Sequence, residues 1–360
     1  MTVIVTGSIA TDYLMRYPGH FREHILLDQG KISLSFLVED KQMTRGGCGP
    51  NIAYSLALLG QHPRLMGTVG QDFGDYRAWL DAQGVDTSLV KAYPGEFTAT
   101  FTVITDLDQN QIAGFHAGAM SRARELSFRD LDPIGGRTRS GRTRSGRTGR
   151  SAPTGIDLVI ISPNDPTGML KYAGECRELG IRFIFDPSQQ LARFDGEQVL
   201  SGMTGAYVLT VNDYELEMVK NKTGLDEAAI LDRVEMLVVT RGADGASFMS
   251  RERRVDVPVA APQAIVDPTG VGDAFRAGLI LGLVRGYPWE VTGRLGALAA
   301  AYVLEQVGTM KHRYTLPQFV ARYRANFGDA PELEDLVRPT GGRLRPQGVR
   351  ADTEVRPYDV

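Results

Sequence analysis

Cysteine is scarce in this chain: two residues, Cys48 and Cys176, in 360. That is too few for a disulfide framework and suits a reducing compartment. Long apolar runs are missing too. The longest, Ala277 to Val284, falls far short of the roughly 20 residues a membrane helix needs, which argues against a span. No basic stretch precedes an apolar core at the start, where Thr2-Val3-Ile4-Val5 already looks like a strand. No secretory leader is therefore expected, and a cytoplasmic location is. Nor is there an excess of positive charge: Lys+Arg 40 against Asp+Glu 43 gives a net charge of −3. That balance makes no global case for a nucleic-acid or membrane partner. The pattern Gly-x-x-x-x-Gly-Lys-Ser/Thr is absent, which excludes a P-loop.

What is present is 42% hydrophobic content, enough for a sizeable core and one large α/β domain with a smaller appendage. The stretch Ile265 to Gly278 organises the rest. It reads as a strand end, a loop broken by Pro268 and Gly270, and a helix from Ala274 with Phe275, Gly278, Leu279 and Gly282 at helical spacing. Gly270 and Gly272 carry no Cβ, so backbone N–H groups there can approach a ligand closely. A glycine loop feeding a first helical turn suits a phosphate, and Asp273 sits at that turn. A carboxylate there can simply cap the helix. A cap needs only one residue, whereas the neighbouring glycines point to a base beside an anion cradle, as phosphoryl transfer to a hydroxyl requires.

Upstream, strands alternate with helices. Strands are expected at 2–6, 65–69, 157–162, 181–186, 206–211, 236–240 and 255–259. Helices are expected after Asn51, at 76–83, 167–179 and 289–306, and at 315–327. This predicts a mostly parallel central sheet with right-handed crossovers, its ligands gathered beyond the carboxyl ends of the strands. Residues 25–38 and 97–105 alternate apolar with polar and are expected to pair as a small β lid, with 112–115 returning beside them. Phe101 and Phe115 read equally as core residues or as a stacking pair for a flat base. Asn51 is a cap or a hydroxyl ligand, and Asp12 a turn residue or an acceptor for vicinal hydroxyls. Asn212 and Glu215, three apart, spell either a helix cap or oxygen ligands for Mg²⁺. Arg137-Thr138-Arg139-Ser140-Gly141 is repeated almost verbatim at 142–146, and residues 135–154 read as a disordered insertion. A disordered tail rich in Pro, Gly and Arg is expected over 329–360.

Two separated stretches carry a resemblance. Asp267-Pro268-Thr269-Gly270-Val271-Gly272-Asp273 resembles the C-terminal signature of the ribokinase-like (PfkB) carbohydrate and nucleoside kinases, and Arg45-Gly46-Gly47-Cys48-Gly49-Pro50-Asn51 resembles their N-terminal one. Pro187-Ser188-Gln189-Gln190-Leu191-Ala192-Arg193 is similar to the actinobacterial-type adenosine kinases. The resemblance covers residues 1–328 apart from the insertion, and implies a ribokinase-like domain with a lid from about 13–45 and 95–117. It implies Asp273 as catalytic base, with Gly270, Val271 and Gly272 as anion hole. Substrate would meet Ser8, Asp12, Gly47, Asn51, Phe101, Phe115, Gln189, Gln190 and Arg193, and also Ser35 from a partner subunit's lid. ATP would meet Asn212, Thr240, Gly242, Gly245 and Gly272. Mg²⁺ would sit near Asn212 and Glu215, and a monovalent cation such as K⁺ near Asp267 and Thr269.

The expected reaction is transfer of the ATP γ-phosphoryl to the 5′-hydroxyl of adenosine by a homodimer joined through its lids. A free-sugar kinase for ribose or fructose and a non-catalytic binding relative are the alternatives. Such a base needs no raised pKa, because the hydroxyl becomes acidic only as its bond to phosphorus forms.

Overall fold

The computed structural model describes residues 1–23, 35–131 and 155–337. The chain begins with β1 (Val3–Thr6), β2 (Ala10–Arg16) and β3 (Asp40–Gly46), then α1 (Cys48–Leu58). There follow β4 (Arg64–Val69), α2 (Gly74–Ala82), β5 (Asp86–Ala92), β6 (Ala99–Thr105) and β7 (Gln111–His116). Next are β8 (Leu158–Ile161), α3 (Pro166–Leu179), β9 (Phe183–Phe185), α4 (Gly196–Met203) and β10 (Val208–Asn212). Then come α5 (Asp213–Thr223), α6 (Glu227–Leu231), β11 (Met236–Thr240), β12 (Ala246–Met249) and β13 (Arg254–Val257). The last elements are α7 (Val271–Arg285), α8 (Trp289–Leu304), α9 (Leu316–Phe327) and α10 (Glu334–Val337).

Nine strands form the main sheet in the order β13-β12-β11-β10-β9-β8-β1-β4-β5. Only the pairings β11–β12 and β12–β13 are antiparallel. The pleat sorts the strand residues between two cores. Val3, Val5, Ile160, Ile184 and Val238 pack on the side of α1, α7 and α8, while Ile4, Val159, Ile161, Phe185 and Val239 pack on the side of α3 to α6. Both faces are covered, so the parallel strands read as continuous apolar runs. Local signals set the helix ends: Asp165 accepts from Gly168 N–H at the start of α3, and Gly180 in the left-handed region stops it. Among the described residues no helix is long and apolar enough to cross a membrane.

The small sheet runs β3-β2-β6-β7. Its composition corrects the expected lid. Residues 25–34 of the expected strand lie outside the described residues, and 35–38 are irregular. The partner of β6 is instead β2, parallel and in register from Ala10↔Ala99 to Arg16↔Thr105. Phe36 packs against the rings of Tyr17 and Phe21, so its apolar side chain is used in a cluster rather than a sheet face. Asp12 accordingly lies within a strand, not a turn. The insertion at 135–154 falls outside the described residues, as do 338–360 of the expected tail. Residues 329–337 depart from the expectation: Ala330, Leu333 and Leu336 are buried against the α9 side of the core.

Candidate active site

Thr6, Ile161, Phe185, Asn212 and Thr240 end adjacent parallel strands on one side of the main sheet, and α7 delivers its first turn there. A cavity of about 950 Å³ opens at this edge, roofed by the small sheet. Helix α7 starts at Val271, one turn earlier than its apolar spacing suggests, and Asp273 is its third residue. Gly270 caps the helix at φ 81°, a conformation costly for any residue with a side chain. A methyl group there would also lie 2.8 Å from Thr309 Cγ2. Among the described residues, the N–H groups of Gly270 and Gly272 donate to no backbone or side-chain acceptor, whereas that of Val271 turns to the Pro268 carbonyl at 3.3 Å.

Asp273 is half-buried and accepts from Asn51 Nδ2 at 2.8 Å. Burial pushes its carboxyl up to about 6, with Asp186 adding to the rise and Arg276 and Asn51 opposing it. Asp12 is likewise raised to about 6 by burial. It stands opposite Phe101 across β2–β6, and Phe101 stands opposite Phe115 across β6–β7. Cross-strand partners share a face of the sheet, so these three side chains form a row over the cavity, which all of them line. Gly47 (φ 98°) passes so close to Ser8 that a methyl group would sit 2.3 Å from its carbonyl oxygen. Ser8 Oγ accepts from Cys48 N–H at 3.3 Å.

Asn212 and Glu215 form a reciprocal cap: Glu215 N–H donates to Asn212 Oδ1 at 2.7 Å, and Asn212 N–H to Glu215 Oε2 at 2.9 Å. Both also line the cavity, so capping leaves part of each carboxylate and amide facing the ligand space. Burial raises the Glu215 carboxyl above its ordinary value. Thr240, Gly242 and Gly245 line the far end beside Val257, Ala301 and Leu304, an apolar slot with exposed backbone. Among the described residues no three acidic, histidine or cysteine side chains are placed to hold a metal ion on their own. Asn212 and Glu215 offer oxygen atoms of the kind that suit a hydrated divalent cation. Asp267 is committed to backbone: Oδ1 accepts from Thr269 N–H at 2.9 Å and Oδ2 from Gly308 N–H at 3.0 Å.

Two expected substrate residues, Gln190 and Arg193, stand apart from the cavity lining, and Ser35 is expected to act only from a partner subunit's lid. Ser35 is exposed, Arg193 is exposed just past a 3₁₀ turn, and Gln190 within that turn is buried. A 3₁₀ turn advances about 120° per residue, so only one of two adjacent glutamines can face the ligand, and Gln189 does. The turn begins at Ser188, which has φ 41°, rare for a residue with a Cβ, and lines the cavity. Sequence reasoning missed Ser188, Cys48, Thr309 and the pair Asp186–Arg276. The signal for Arg276 was its place three residues after Asp273, on the same face of an otherwise apolar helix.

Residues 3–315 match the family model described as pfkB family carbohydrate kinase. The chain is 36% identical to the Burkholderia thailandensis nucleoside kinase solved in complex with inosine, with a TM-score of 0.76 over 91% of this chain and 98% of that one. A second structure of that enzyme, in complex with ADP-inosine, gives 37% identity and a TM-score of 0.74 over 95% of this chain and 99% of that one. The nucleoside kinase of Methanocaldococcus jannaschii is 29% identical over 77% of this chain and 84% of its own length. With the family model spanning most of its length and the glycine-capped helix at the mouth of the cavity, this chain belongs to the pfkB family of carbohydrate kinases.

Proposed function

We propose that the protein transfers the γ-phosphoryl group of ATP to the 5′-hydroxyl of a purine nucleoside, converting adenosine to AMP. One observation carries this reading. A single cavity holds a half-buried carboxylate beside backbone N–H groups unpaired among the described residues and, on the lid above it, a row of one carboxylate and two aromatic rings. The aromatic pair suits a flat base and Asp12 suits ribose hydroxyls, while Asp273 is left for the reacting hydroxyl. The inosine and ADP-inosine complexes of the Burkholderia enzyme support a nucleoside site.

In this mechanism Asn51 holds the Asp273 carboxylate so that its remaining lone pairs face the hydroxyl, which gives up its proton as its oxygen bonds to phosphorus. The N–H groups of Gly270 and Gly272 meet the charge on the transferring phosphoryl. Asn212 and Glu215 would help to hold Mg²⁺, which when bound would offset the charge of the triphosphate. A second copy of the chain is proposed to pack on the small sheet, whose strand β7 is exposed along its whole length with Ile112 and Phe115 uncovered.

Three results are expected. Phosphoryl transfer measured side by side runs faster with adenosine, guanosine and inosine than with ribose or fructose; the reverse order would make the protein a sugar kinase. Phe115→Ala raises the nucleoside KM about tenfold or more, the scale of one lost base–aromatic stack, and leaves any slow reaction with ribose unchanged. The pH profile has its acid limb near 6. Asp273 works only as a carboxylate, so kcat/KM is full above its raised pKa and declines as pH falls through about 6. Asp12 titrates in the same range, and a limb steeper than one proton reports both. A limb near 4 would show that the carboxyl limiting turnover keeps an ordinary aspartate pKa.

A further inference from the structure

The charges around the cavity are unbalanced for the ligand proposed above. Asp12, Glu215 and Asp273 line it, and Arg276 is its only basic side chain among the described lining residues. Arg276 is held in an unusual way. Its Nη2 donates to Asp186 Oδ1 at 2.6 Å, and its Nε lies 2.6 Å from Asp186 Oδ2. Nη2 is thus hydrogen-bonded, and Nε held by charge alone, to a carboxylate that is 1% exposed just past the end of β9. Nη1 makes no hydrogen bond to a described residue and lies beside the cradle: a methyl group on Gly272 would be 2.6 Å from it. So Gly272 leaves room for a guanidinium as well as for an anion. Burial acts against the charge on Arg276, but Asp186 and Asp273 outweigh it and keep the group protonated. A buried ion pair is weak evidence for stability, since desolvating two charges offsets most of their attraction. A pair that leaves one donor turned toward an anion site has another use.

We infer that Arg276 is a catalytic residue of the phosphoryl transfer, donating from Nη1 to an equatorial oxygen of the moving group, with Asp186 as its positioning residue. The inference rests on the kinase reading. In the step, the bond from the substrate oxygen to Pγ forms as the bond from Pγ to the bridging oxygen breaks, the hydroxyl proton passes to Asp273 and ADP leaves. Arg276 stays protonated throughout and only its hydrogen bond strengthens, which is how a preorganised donor lowers a barrier. Planar geometry fixed on one edge lets the other edge meet phosphate without reorganisation.

The test uses the full-length enzyme, with steady-state kinetics, thermal melting and calorimetric binding of a non-hydrolysable ATP analogue. Arg276→Gln is expected to lower kcat about 10²-fold or more, the scale of one lost oxyanion donor, with the nucleoside KM little changed. Arg276→Lys should recover part of that loss, and Asp186→Asn should lower kcat with the guanidinium still present. Arg276→Gln leaves Asp186 buried and alone, so it can fail to fold. The double variant Asp186→Leu/Arg276→Met replaces both ions by apolar groups, a change proteins often tolerate, and gives the same readout. A folded Arg276→Gln or double variant with kcat near the parent's would overturn the assignment. So would loss of the fold in the double variant, which would make the pair structural. Asp273→Asn run in parallel separates the two claims. If it abolishes turnover while Arg276→Gln does not, only the inference about Arg276 fails. If Asp273→Asn turns over normally, the kinase reading fails with it.

Discussion

Asp273→Asn is expected to reduce phosphoryl transfer by about 10²–10⁴-fold, the usual worth of a positioned general base, while nucleotide binding survives. The substitution is close to isosteric and keeps an acceptor for Asn51 Nδ2, so the first turn of α7 and the cradle at Gly270 and Gly272 keep their shape. It removes the one group at the cradle able to take a proton from the acceptor hydroxyl. Asp12 stands on the small sheet, in register with Phe101, and belongs to the row over the cavity rather than to the helix mouth. A kcat assay and binding of an ATP analogue, measured on one preparation, check both halves of the expectation. A variant that keeps most of its turnover would remove Asp273 from the chemistry. Stability should change little or rise slightly, because burial penalises the carboxylate and a neutral amide escapes that penalty.

The parts of this site that could be read from sequence are those written in backbone chemistry. Glycines at 270 and 272 before an apolar helix announce a loop whose N–H groups are free, because few other reasons place two glycines there. The alternation of apolar runs with helical spacing likewise predicts a parallel sheet covered on both faces. What escaped reading lies where side chains answer to partners far along the chain. Asp186 and Arg276 are 90 positions apart and meet only once β9 and α7 are packed side by side. The glutamine pair at 189 and 190 looked equivalent until a 3₁₀ turn sent one outward and one inward. Strand β2 was hidden because Asp12, a residue type depleted in strands, interrupts it, and the segment gains order from pairing with β3 and β6. Short helix α4 carried a readable signal, since Asp195 and Gln198 form a capping box at its start. Asn212 and Glu215 carried the same signature, and there the structure shows the cap itself, beside whatever they do for a ligand.

Gly278→Val should be the most damaging change away from the cavity, costing about 3 kcal/mol of stability, the upper range for overpacking. Helices α7 and α8 touch backbone to backbone at this point: a first side-chain carbon on Gly278 would lie 2.4 Å from Gly296 N and 2.5 Å from Gly296 Cα. Backbone cannot turn aside as a side chain can, so α7 must shift along its whole length. That helix carries Asp273 and Arg276 in and just beyond its first turn, five and two residues from the collision. A displacement of the order of 1 Å at a reacting group costs about 10²-fold in rate, so kcat should fall even in the fraction of variant that stays folded. Gly286→Ala is the matched control. It lies at the other end of α7, at φ 70° with open space around it, so it bears only the local strain of a left-handed alanine, about 1 kcal/mol, and should leave kcat unchanged. Urea midpoints and kcat measured for both variants separate helix position from general stability. If Gly278→Val keeps the parent's midpoint and rate, the α7–α8 contact does not set the geometry of the site.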